Sequence, residues 1–141
     1  MKRLLITAIV GVLTAGFSSA VFAQSATDEV STAHAHALMA QSATTVAAAH
    51  MHLHHVINCI VGATGSDYDA AAGTPCKGQG DGALKDAASN STLVGKLNVA
   101  LADARSGLKA DALSTVQQDA AKAAGALGAT ATQKASGGYK W

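Results

Sequence analysis

Four histidines and a cysteine fall within ten residues, His50-Met51-His52-Leu53-His54-His55-Val56-Ile57-Asn58-Cys59, and His34 and His36 lie shortly upstream. These six are all the histidines of the 141-residue chain. Imidazole is the commonest protein ligand for transition metals and titrates near neutral pH. A segment this rich in it is suited to ligating a metal ion, to ligating haem, or to sensing pH.

The spacing narrows the chemistry. Two side chains of one helix meet when they are three or four residues apart. His50 and His54 are four apart and form the best chelating pair; His52 and His55 are three apart and come second, and His55 stands four before Cys59. His34 and His36, two apart, do not face each other. Zinc generally takes four ligands, so a pair needs help from water, from a carboxylate such as Asp103 or Asp119, from the thioether of Met39 or Met51, or from the same helix of a second chain in a homodimer. Copper stands highest in the divalent affinity order and suits imidazole beside a thioether, with zinc and nickel next. Asp67 and Asp69 lack the spacing of a calcium loop and read as turn formers.

The elements that must position these side chains begin with an address. Met1-Lys2-Arg3 is basic, Leu4 to Phe17 is an almost unbroken apolar run, and Ser18 to Ala23 ends in small residues. This pattern predicts a signal peptide over 1–23, cleaved after Ala23, and a mature chain that is periplasmic or secreted and not membrane-bound. Its loss leaves eight basic residues against nine acidic, a balance that offers nothing to nucleic acid or an anionic surface. Two cysteines in an exported chain read first as a disulfide, Cys59 with Cys76, worth about 3 kcal/mol for a loop of this size.

From Asp28 to Val61 there is no proline or glycine, and Gly62 is a plausible stop. The run predicts one long helix, with Thr44-Thr45 the point at which it could break. Six glycines between 62 and 82 mark an irregular loop that the disulfide would staple. Helical spacing returns at Leu93, Leu97, Leu101, Ala104 and Leu108, and again at Leu113, Val116, Ala120, Ala123 and Leu127. A further short helix is expected over 83–89. The expected fold is all-α: a small antiparallel helical bundle over residues 24–129 with one long N-terminal helix, a disulfide-stapled glycine-rich loop, and a flexible tail over 130–141.

On a single continuous helix, Leu38, Met39, Val46, Leu53, Val56, Ile57 and Ile60 form the core stripe. His34, His52 and Cys59 then fall along one edge with His55 just beyond, and His36, His50 and His54 along the other. One helix supplies every imidazole, so a tight site has to borrow ligands from elsewhere. A small exported helical chain with a histidine-studded helix resembles the small periplasmic metal-binding proteins of Gram-negative bacteria, over roughly residues 28–61. The later helices carry no histidine, which the resemblance ties to one or two sites rather than bulk storage.

Catalysis is not indicated. His-Glu-x-x-His, the nucleophile elbow and a phosphate-binding glycine loop are all missing from the sequence. Without Cys-x-x-Cys-His, covalent haem is disfavoured, and non-covalent haem between facing histidines stands as the alternative to a bare metal ion. A helical interaction module responsive to pH is the other.

Overall fold

The computed structural model describes residues 18–136, with side chains described between residues 25 and 128. Most of the expected signal peptide and the last five residues lie outside the described residues. Among the described residues the regular elements are all helical: α1 Ser18–Ser42, α2 Val46–Val61, α3 Ala83–Asp86, α4 Ser91–Leu108 and α5 Leu113–Ser136. The expected cleavage point after Ala23 falls inside α1. α5 runs past Thr130 to Ser136; alanine, glutamine and lysine favour helix there, and no breaker comes before Gly137-Gly138.

The expected long helix divides at 43–45. Thr45 is the reason: in extended conformation (φ −135°, ψ 150°), it accepts the Ala48 N–H on its side-chain oxygen at 3.2 Å and so caps a new start. Ala43 closes the end of α1 through a hydrogen bond to the Ala40 carbonyl. A connection this short makes α1 and α2 antiparallel neighbours. The four long helices pack chiefly as a ring, α1 on α2, α2 on α4, α4 on α5 and α5 on α1, with a smaller contact of α2 on α5 across it. Gln117 of α5 donates to the Ala43 carbonyl while Gly128 packs against His34, which runs α5 antiparallel to α1.

The core differs in composition from the expected stripe. Leu38 and Met39 are 46% and 47% exposed, and α1 instead buries Ala26, Val30, Ala33, Ala37 and Ala40. The break explains it: once α2 folds back, α1 needs small side chains toward two neighbours, and the close approach leaves no room for leucine. Bulk comes from Leu53, Val56 and Ile60 of α2, Leu97 of α4, and Val116 and Leu127 of α5. At the α2–α4 crossing, a Cβ on Gly107 would stand 2.6 Å from the Leu53 methyl.

The segment between α2 and α3 is irregular but tied down at several points. Cys59 and Cys76 are disulfide-bonded, with Cα atoms 5.4 Å apart. Asn58, 1% exposed, donates to the carbonyls of Asp69 (2.7 Å) and Gly73 (2.6 Å) and accepts the Asp69 N–H at 2.8 Å. Thr32 of α1 donates to Gln79 at 3.0 Å. The segment leaves and returns at one point, where the backbones of Gly62 and Gly82 touch: a Cβ on Gly62 would land on the Asp81 carbonyl. Gly62 also has φ 70° and ψ 171°, a region open essentially to glycine alone. Gly62→Ala is therefore expected to cost about 3 kcal/mol or more, strain and displacement together. A urea melt of the two proteins, showing a lowered midpoint at constant slope, checks this.

Candidate metal centre

The break between α1 and α2 rearranges the histidines. On one continuous helix His36 lies across the stripe from His52; after the turn it lies opposite His52 and His55 on the neighbouring helix. Its Nδ1 is 3.1 Å from Nδ1 of His52 and 3.3 Å from Nδ1 of His55. Ring centroids are 5.3 Å (His36–His52), 4.7 Å (His36–His55) and 6.0 Å (His52–His55) apart. Ligand atoms of all three lie within 4.8 Å of one another, and all three residues are half-buried. Ligand nitrogens about 2.0–2.1 Å from a zinc ion stand about 2.9 Å apart at a right angle and about 3.4 Å apart at the tetrahedral angle. Both close spacings fall between those limits.

The hydrogen positions follow from the partners. His55 Nε2 is 2.9 Å from the Ala72 carbonyl, which can only accept, so Nε2 carries a hydrogen and, in the neutral ring, the lone pair is on Nδ1. His36 Nδ1, facing that lone pair, must then carry a hydrogen, which it shares between His55 and His52. Ligation through Nδ1 moves this hydrogen to His36 Nε2, a change of tautomer without net loss of a proton. Burial, and then the neighbouring His55 and His52, push His36 down to about 4. Burial, followed by His55, also lowers His52. Near neutral pH both rings are therefore held uncharged, and an ion would have to displace only the tautomer of His36, not an added proton.

The other expected ligands have different work. His50, of the best local pair, points its Nε2 at the carbonyls of Gly107 (3.2 Å) and Ala110 (3.1 Å), satisfying acceptors at the C-terminal end of α4. His54, its partner by spacing, pairs through Nδ1 with the Asp69 carboxylate at 3.2 Å. The two rings thus serve separate neighbours. His34 sits against Gly128 of α5. Asp119 is held by Ser106 (2.7 Å) and Lys122 (2.7 Å), and the disulfide occupies Cys59. Three imidazoles now come from two helices of one chain, so a second chain is not needed to assemble them.

A second polar cluster was not foreseen. Glu29 of α1 is 1% exposed; its Oε1 accepts the Gly82 N–H at 2.8 Å, and its Oε2 meets no donor. Asp86, 7% exposed, approaches from α3 and accepts the Asp81 N–H at 3.2 Å. Burial raises the Glu29 carboxyl to about 7, against the lowering effect of the Gly82 N–H and with help from Asp86 and Asp81. Protonation removes the buried charge and lets the carboxyl share a hydrogen with the neighbouring Asp86. Glu29 and Asn58 share one sequence signal: each is polar at a helical phase otherwise occupied by buried apolar residues.

Comparison with protein-family models, with curated proteins and with solved structures finds no match to this chain.

Proposed function

We propose that this is an exported transition-metal-binding protein that holds one ion between His36, His52 and His55. The carrying observation is the convergence of their ring nitrogens, at 3.1 and 3.3 Å about His36, from two helices. The carbonyl partner of His55 supports it, because ligating histidines almost always give their second N–H to such a group. The disulfide fits an oxidising compartment. No described helix is long and apolar enough to cross a membrane. Contact among the rings favours a bare ion over haem, whose porphyrin has to lie between its axial imidazoles.

Three imidazoles leave a four-coordinate ion one position for water or an incoming donor, which suits buffering or transfer over permanent storage. Copper heads the expected order, with zinc and nickel behind it. The test is elemental analysis of untagged protein from the periplasm, together with titration of metal-free protein with copper(II), zinc(II) and nickel(II). One equivalent taken up, with the tightest binding for copper, is the expected result. Failure to take up any of the three overturns the reading.

A further inference from the structure

We propose that Asn58 is a positioning residue for the metal centre, acting through the 69–73 turn to hold the Ala72 carbonyl against His55 and so keep His55 Nδ1 free for the ion. The proposal rests on the metal-binding reading. Asn58 stands one helical turn beyond His55 and, although buried, spends its hydrogen bonds on the loop and not on a ligand. Its amide grips the turn on both sides of Ala72, donating to the carbonyls of Asp69 and Gly73 and receiving the Asp69 N–H.

Within that grip, Asp69 Oδ1 accepts the N–H groups of Ala71 (2.9 Å) and Ala72 (3.3 Å), which fixes the tilt of the peptides leading to the Ala72 carbonyl. That carbonyl then meets His55 Nε2 at 2.9 Å. The bonds are directional: the buried Asn58 amide and the half-exposed Asp69 carboxylate both fix backbone groups of the turn, and one of those groups meets the ring. An apolar residue at 58 would leave two carbonyls of the turn and one N–H without their buried partner. The turn would lose its register, and His55 could then turn over or present Nδ1–H toward the ion. The disulfide alone does not replace this: Cys76 lies three residues beyond Gly73, outside the gripped turn.

The experiment compares wild type with Asn58→Ala at a temperature where circular dichroism shows both folded and the disulfide is intact. Two quantities are read: copper(II) affinity by competition with a chelator, and the His55 Nε2–H signal in the NMR spectrum of metal-free protein, visible only while the hydrogen is held. Expected are a loss of affinity of about 10- to 100-fold, the range for losing a partner of a ligating histidine, and disappearance of the signal. If Asn58→Ala does not fold, Asp69→Ala, which keeps Asn58 and the disulfide, carries the same expectation. Affinity within about twofold of wild type, or a His55 signal unchanged in the variant, overturns the proposal. Wild-type protein that takes up none of copper(II), zinc(II) and nickel(II) would overturn the metal reading instead, and the His55 signal would still decide whether Asn58 holds the ring.

Discussion

His36→Ala is expected to remove tight metal binding, with a loss of affinity exceeding about a hundredfold, because it deletes a ligand rather than a ligand's partner, whose loss costs about 10- to 100-fold. His36 is the only member of the cluster on α1, and its Nδ1 lies within 3.3 Å of both other rings. What remains, His52 and His55 on one helix, is a two-imidazole chelate completed by water. His50→Ala should behave in the opposite way. It removes the donor to the Gly107 and Ala110 carbonyls and should cost about 1–2 kcal/mol of stability, while copper affinity stays within about twofold. Calorimetric titration of the two variants beside wild type separates ligand from scaffold. Full affinity in His36→Ala would remove this cluster from consideration, and a large loss in His50→Ala would return the site to the His50/His54 pair.

Glu29→Gln is expected to stabilise the protein above neutral pH by roughly 2–3 kcal/mol. An acid raised from 4.5 to about 7 is easier to protonate folded than unfolded, so the folded state binds the extra proton between those two values. Stability from this group is full below 4.5, falls as pH rises toward 7 and is lost above it, by roughly 3 kcal/mol in all. His36 works in the other direction. Lowered from 6.5 to about 4, it contributes stability that is present above 6.5 and lost as pH falls toward 4. Between 4.5 and 6.5 the two slopes oppose each other, and wild type should look nearly insensitive to pH there. Above 6.5 the Glu29 loss stands uncovered. Glutamine keeps an oxygen for the Gly82 N–H and offers an amide hydrogen where protonated Oε2 had its own. The variant should therefore lose stability only toward acid, with a plateau from 6.5 upward. Denaturation midpoints from pH 4.5 to 8 check this, and parallel curves for the two proteins would refute it.

Helices, the glycine-rich loop and the Cys59–Cys76 bond were legible because each has a one-dimensional signature: spacing of apolar residues, a cluster of glycines, a pair of cysteines. The segment that holds the cluster was legible, but not which of its histidines converge: all six were expected ligands, with His50/His54 foremost, and His36, His52 and His55 are the three that meet. Treating 28–61 as one rod fixed every azimuth relative to Leu53, and a three-residue interruption at 43–45 resets that phase. It turned His36 from the far edge into the partner of His52 and His55. It also moved Leu38 and Met39 outward, leaving alanine to pack. The capacity of Thr45 to cap a helix was in the sequence, but whether capping wins over continuing depends on α1 finding α5 and α2 to pack on. Asn58 and Glu29 could be picked out as polar residues at buried phases, but not what they do: their hydrogen-bond partners are backbone groups at 69–82, which have no side-chain identity to recognise.

The short turn at 43–45 also has a consequence for how the centre comes into being. All three ligands belong to a single α-hairpin, and the chain between His36 and His55 is shorter than twenty residues. Closing a loop of about ten residues takes roughly 10–100 ns, and the entropic cost rises only slowly with length. The imidazoles can therefore meet before α4 and α5 dock and before the slower disulfide forms. If the cluster binds an ion as proposed, an ion present at that moment would favour the hairpin over the continuous rod and so take part in choosing the topology.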